Sequence, residues 1–298
     1  MTAVLPTKEA ALGRLRRPEF ECEPIDASGI GSVERPLSAW ERLIDNEVAR
    51  KTVLLMALAG FWELYARSLA NPLLFPTLSE TLITLWHDVA SGALPERVLT
   101  SLQVLSLGYA SGLILAGLFT TLAVSTRVGS DLLSTLTAMF NPLPAIALLP
   151  LALIWFGLGK PSLIFVIIHS VLWAVSLNTL TGFRSVPETL RMSGRNLGLR
   201  GPRYVALILV PAAFPAIVTG LKIGWAFAWR TLIAAELVFG VSSGQGGLGW
   251  FIFENKNLLD IPSVFAGLFA VIMIGLIVEN VAFRTIELRT VRRWGMQT

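Results

Sequence analysis

A chain of 298 residues that is 54% hydrophobic and only 15% charged, with a mean hydropathy of +0.66, lies outside the composition of soluble domains. One cysteine (Cys22) and two histidines (His87 and His169) exclude an internal disulfide and a Cys/His metal cluster. The net charge of +4 is too small to indicate a nucleic-acid partner.

The apolar residues gather into runs of about 20, the number a helix needs to cross a hydrocarbon layer of ~30 Å. The alternating segments of about ten residues that mark a closed barrel are absent. The expected fold is an all-α integral membrane protein. Residues 1–50 form a polar tail with no signal-peptide core, in which Leu37 to Val48 has the spacing of a short amphipathic helix resting on lipid. The transmembrane domain is expected over 51–286. Its first span reads from Lys51 to Leu69, and an amphipathic stretch from Leu78 to Val89 lies on the membrane surface. The second span runs from Val98 to Val124 and carries Gly108-x-x-x-Gly112, a spacing that lets a neighbouring helix approach closely. The third, Leu132 to Phe156, is interrupted by Pro142, Pro144 and Pro150 and ended by Gly157 and Gly159. Spans four to six are Ser162 to Phe183, Ala212 to Phe239 and Val264 to Phe283, with a basic tail over 287–298. Six spans result.

Lys and Arg set the orientation. The segment between spans four and five holds Arg184, Arg191, Arg195, Arg200 and Arg203, and the C-terminal segment holds Arg284, Arg289, Arg292 and Arg293. The loops on the other face hold only Arg67, Arg97, Lys160 and Lys256. Both termini and the 184–211 loop are therefore expected to be cytoplasmic.

Within that loop, Pro187 and Glu188 suit the first turn of a helix ending at Leu197, and Gly198 suits the position after it. A second helix follows Gly201-Pro202 and leads to Pro211, which opens span five. Periodicity alone also fits a loop helix snorkelling its arginines toward lipid phosphates. The segment Met192 to Pro211, MSGRNLGLRGPRYVALILVP, resembles the cytoplasmic loop by which permease subunits of bacterial ABC importers dock onto their ATPase. That pattern is E-A-A, three residues, Gly, nine residues, Ile-x-Leu-Pro. Gly198, Ile208 and Pro211 stand in place, Val210 replaces the Leu, and E-A-A reads Met192-Ser193-Gly194. Trp229 to Glu236 (WRTLIAAE), Gly246 to Trp250 (GGLGW) and Pro150 to Gly159 (PLALIWFGLG) are similar to the nitrate, sulfonate and taurine branch of these permeases.

The resemblance implies a type I importer permease with six spans in the bacterial inner membrane, paired with a second permease copy as a homodimer or heterodimer. It implies cytoplasmic ATPase subunits that hold ATP and Mg, a periplasmic or lipid-anchored solute-binding protein, and a small, anionic cargo. Glu188, Met192, Ser193, Gly194, Arg195, Gly198, Arg200, Arg203 and Pro211 are the candidates for ATPase coupling. No catalytic residue and no cofactor is expected in this chain.

Arg230 and Glu236 are costly in a span, so each should face protein or a wet cavity. Six residues apart, they lie about 240° apart around one helix and should not satisfy each other. Arg230 reads as an anion contact or as a partner of another helix, Glu236 as a packing or gating residue near the outer end. Asn141 on the broken span and His169 complete the candidates for the translocation route. His169 also fits a hydrogen-bonded core histidine, and Lys222 can snorkel to the cytoplasmic surface. The GQGGLG run over 244–249 has no preceding strand and is expected to be a flexible outer loop, touched by a delivery protein rather than a nucleotide. A transporter or channel driven by an ion gradient remains the alternative. It would need buried carboxylates, for which Glu236 and Glu63 are the candidates.

Overall fold

The structure, a computed structural model, describes residues 45–239 and 246–290. Most of the expected amphipathic helix over Leu37 to Val48, the first residues of the GQGGLG run and most of the basic tail lie outside those ranges. Every element among the described residues is helical. In chain order they are α1 (Glu47–Leu69), α2 (Leu78–Ala90), α3 (Ala93–Ser125), α4 (Arg127–Phe140), a 3-10 turn (Ala145–Leu148) leading into α5 (Leu149–Phe156), and α6 (Lys160–Arg184). Then come α7 (Glu188–Asn196), α8 (Gly201–Tyr204), a π-turn (Val205–Leu209), α9 (Val210–Phe239), α10 (Leu248–Asn257), α11 (Ile261–Ile277), a second π-turn (Val278–Phe283) and α12 (Arg284–Arg289).

The described residues divide into two units between Ala57 and Leu58. In the first, the Asn46 side chain accepts from the Val48 and Ala49 amides and starts α1. In the second, Thr77 and Glu80 form a reciprocal capping box that starts α2 (Glu80 N–H to Thr77 Oγ1 3.1 Å, Thr77 N–H to Glu80 Oε2 2.9 Å). Glu63 accepts from the Ser79 amide at 3.1 Å and pairs with Arg67, so it is consumed in fixing α2 beside the end of α1.

α6 is the axis of the second unit. Its most apolar stretch is 61% buried, against 22–28% for the other helices of spanning length, whose apolar sides face outward. Glycines allow this on both flanks. On α3, a Cβ at Gly108 would lie 2.7 Å from Ile167 Cγ2, and one at Gly112 would lie 2.7 Å from Val171 Cβ. Opposite, Gly182 of α6 abuts Ala216, while Gly220 and Gly224 of α9 abut Asn178 and Val175, all within 3 Å of the missing Cβ. The expected close approach at Gly108-x-x-x-Gly112 is real, and its partner is α6.

Among the described residues, four helices are long and apolar enough to cross a membrane, or five if the pair α4 and 145–156 counts as one span. The first expected span, over α1, is not among them. The pair formed by α4 and 145–156 is bent by 89° at its break. Pro142 and Pro144 cannot donate backbone hydrogen bonds and clash with the preceding turn, so α4 stops with the Asn141 amide bonded to the Thr137 carbonyl at 2.9 Å. Gly157, at φ +73°, ends α5 as expected.

A second difference concerns Pro211. It does not open a span: helix is already running from Gly201, and Pro211 is the second residue of α9. The π-turn over Val205–Leu209 absorbs the proline, because wider i→i−5 bonding there accommodates the hydrogen bond that Pro211 cannot make. A third is Lys222, which does not simply snorkel: its Nζ lies 2.6 Å from Glu287 Oε2 on α12. A fourth is α10, a helix not anticipated between spans five and six.

The glycine seam gives a direct test. Gly112→Val should lower the melting temperature of the detergent-purified protein by an overpacking cost of about 1–3 kcal/mol. Gly117→Val on the same helix, where a Cβ meets nothing within 4 Å, should leave it close to wild type.

Candidate functional site

The break between α4 and α5 leaves a cavity of about 330 Å³ against the middle of α6 and α9. Its walls bring together Asn141 at the end of α4, His169, Ser170 and Trp173 on α6, and Arg230 and Thr231 on α9. Three of the four expected route residues, Asn141, His169 and Arg230, thus share one space. Ser170 and Thr231, hydroxyl to hydroxyl at 2.9 Å, join α6 to α9 along the cavity wall. The aromatic side is closed by Phe140 stacked on Trp173 (centroids 5.3 Å apart, planes at 13°), with the His169 ring edge-on to both.

Arg230 turns its Nε to the Ala226 carbonyl at 3.0 Å and lays its guanidinium over the Phe227 ring, 5.2 Å from the centroid. Among the described residues no carboxylate lies within ion-pair distance of it. His169 differs from the expected hydrogen-bonded core histidine. Both ring nitrogens are shielded yet lack a hydrogen-bond partner among the described residues, as does Trp173 Nε1. Helical spacing places His169 and Trp173 on one face of α6, with Ser170 beside them on the cavity wall. Trp173 was not singled out in the sequence, although its position four residues after His169 carried that signal.

On the far side of α6 the chain turns at Ser185 into α7. Glu188 sits in its first turn and Pro187 at its N-cap. The helix ends in a Schellman motif: the Gly198 amide bonds the Arg195 carbonyl at 2.9 Å and the Leu199 amide bonds the Gly194 carbonyl at 3.1 Å. Gly198 adopts φ +75°, which accounts for its identity. Gly194 is buried because α7 packs there on Tyr204 and Ile208, whose atoms would lie 3.1 and 2.9 Å from an added Cβ. Met192, Ser193, Arg195, Arg200 and Arg203 are exposed, as is Leu197 at 77%. Arg191, absent from the expected set, donates to the Phe183 and Val186 carbonyls (2.5 and 3.1 Å) and so caps the C-terminus of α6.

A family model described as the binding-protein-dependent transport system inner membrane component matches residues 108–286, the stretch holding the cavity and α7. The chain belongs to this family. It is a multi-pass permease subunit of an ABC importer of the inner membrane. A Methanocaldococcus jannaschii protein provisionally named an ABC transporter permease is 30% identical over 79% of this chain and 88% of its own length. The taurine transport system permease TauC of Escherichia coli is 27% identical over 76% and 82%. The nitrate import permease NrtB of Synechocystis is 31% identical over 62% and 66%. Membership fits a transport subunit rather than an enzyme, and implies association with an ATPase and a solute-binding protein. The alternative driven by an ion gradient is not favoured.

The fourth expected route residue lies elsewhere in the permease. Glu236, 2% exposed, is outside the cavity and far around α9 from Arg230, as their spacing required. Its carboxyl accepts from Ser101 Oγ (2.9 and 2.8 Å) and from the Gly249 amide (2.8 Å), while Ser101 Oγ accepts from the Leu248 amide at 2.8 Å. Two residues from other helices thus cap the first turn of α10, whose own N-cap, Gly247, has no side chain to do so. One turn earlier on α3, Arg97 holds the Gly246 carbonyl at 3.0 Å and Glu254 at 3.3 Å. The described end of the GQGGLG run, Gly246 to Gly249, is therefore buried against Glu236 and Ser101 rather than forming a flexible outer loop. Ser101 was missed because it lies 135 residues from Glu236 with no local pattern linking them.

Glu236→Ala would strand the Gly249 amide and remove the Ser101 acceptor, at a cost of about 1–3 kcal/mol. Hydrogen–deuterium exchange of the purified permease should accelerate at the Leu248 to Phe251 amides in this variant and remain unchanged in α7.

Proposed function

We propose that this permease carries a small anion through the cavity between α4, α6 and α9, with Arg230 as the contact for its charge. The supporting observation is Arg230 itself. A charged residue in a span costs roughly 2.5–3.5 kcal/mol on the insertion scale, and no carboxylate among the described residues offsets it here. An anionic cargo supplies the missing charge. Asn141, His169 and Trp173 add donors around it. Taurine carries a sulfonate and nitrate is an oxyanion, so the cargoes in the names of two relatives match this chemistry. Glu236 acts at one remove, by holding α10 in place.

The reading extends to partners. α7 is the seat for a cytoplasmic ATPase: Met192, Leu197 and Arg195 present a mixed apolar and cationic face, and Gly198 keeps the helix short. Ser193, Arg200 and Arg203 flank that face, Glu188 begins it, and Gly194 and Pro211 shape the packing beneath. ATP and Mg belong to that partner, since this chain has no G-x-x-x-x-G-K-[S/T] sequence. A second permease, identical or related, completes the membrane part, with a solute-binding protein on the opposite face. Closure of the ATPases displaces α7, and α6 moves with it.

Two measurements test this. Arg230→Ala should reduce proteoliposome uptake of an anionic cargo at least tenfold while Arg230→Lys retains a measurable fraction, with assembly of the complex intact in both; normal uptake in the alanine variant would remove Arg230 from the route. Gly198→Asp places a side chain on left-handed backbone and an acid on the proposed seat. It should abolish co-purification of the ATPase without loss of membrane insertion.

A further inference from the structure

We propose that the route has a second anion station at the cytoplasmic end of α6, built around Arg184; this rests on the anion reading of the Arg230 cavity. A separate cavity of about 210 Å³ lies there, lined by residues that include Ser134, Thr137, Leu177, Thr181 and Arg184. It shares two wall residues, Asn141 and Pro142, with the Arg230 cavity, so the two spaces meet at the break after α4. One face of α6 lines both. Ser170, Trp173, Leu177, Thr181 and Arg184 follow one another at intervals of three or four residues, a continuous strip that spans about 21 Å at 1.5 Å per residue.

The inner cavity repeats the chemistry of the outer one. Arg184 donates to Ser130 Oγ at 2.7 Å and, like Arg230, has no carboxylate within ion-pair distance among the described residues. Each space also holds a shielded polar atom with no partner among the described residues: His169 and Trp173 in the outer one, Thr137 Oγ1, on a side chain only 4% exposed, in the inner one. Buried polar groups are normally satisfied. Lying in the walls of two spaces that meet, on α6 in the outer one and on α4 in the inner one, these atoms mark where a passing oxyanion and its water can bond. Transfer from Arg230 to Arg184 carries the anion past Asn141 without a stretch of purely apolar wall.

The test uses the assembled transporter with its ATPase, in membrane vesicles, on a Cys22→Ser background. Thr181→Cys and Thr231→Cys report on the inner and outer cavities. Each thiol is reacted with two methanethiosulfonates of similar size, one ending in a sulfonate and one in a trimethylammonium. The sulfonate reagent should react faster at both sites. Arg184→Gln should cut the ratio of rates about tenfold at the T181C site and leave the T231C site unchanged, since a unit charge acts strongly over a few ångströms in a low dielectric. Arg184→Lys should preserve the ratio, which separates charge from packing. An unreactive T181C thiol, equal rates there, or a ratio insensitive to Arg184→Gln would overturn the inner station alone. Loss of anion preference at T231C as well would overturn the anion route on which it depends.

Discussion

The closeness of α6 to its two neighbours is the constraint on which the rest of the molecule depends. Ile167 and Val171 fill the space over Gly108 and Gly112 on one flank, and Gly182, Gly220 and Gly224 bring α9 equally near on the other. In lipid there is little hydrophobic drive between helices, so this intimate packing, rather than burial from water, holds spans together. Because the three helices cannot shift past one another without collision, the residues that α6 and α9 present to the cavity are fixed in register. The Ser170 and Thr231 hydroxyls can meet only because that register is set.

Against this rigid trio stands a deliberately interrupted element. The prolines after Asn141 deprive the chain of two backbone donors and turn it through 89°. Irregular backbone at membrane depth is tolerated where it borders protein or a wet space. The cavity beside the break is the complement of that rule, and it collects the polar groups that lipid would reject. Glu236 illustrates the opposite solution: its carboxyl is fully engaged by Ser101 and the Gly249 amide, so it acts as a structural cap on α10.

Much of this was legible in the sequence because it is local. Apolar run length placed α3, α6 and α11 to within a few residues, and Gly198 announced the end of α7. The amphipathic spacing from Leu78 to Val89 matched α2. Long-range pairing was not legible. The partner of Glu236 is 135 residues away, and the prolines foretold a break without foretelling its angle, which depends on what α4 and α5 pack against. α10 escaped notice because its apolar stretch, LGWFIF, is short and its cap comes from other helices. His169 could be placed on a span, but whether its nitrogens find partners depends on neighbours that only the assembled helices reveal.

Arg191 has a mechanical meaning. By bonding the Phe183 and Val186 carbonyls from within α7, it braces the elbow where two helices would otherwise hinge freely. A brace of this kind makes α6 and α7 a bell crank: torque applied at the short arm emerges as a swing of the long one. Because α6 is also clasped along both flanks, that swing cannot dissipate locally and must be shared by α3 and α9 together.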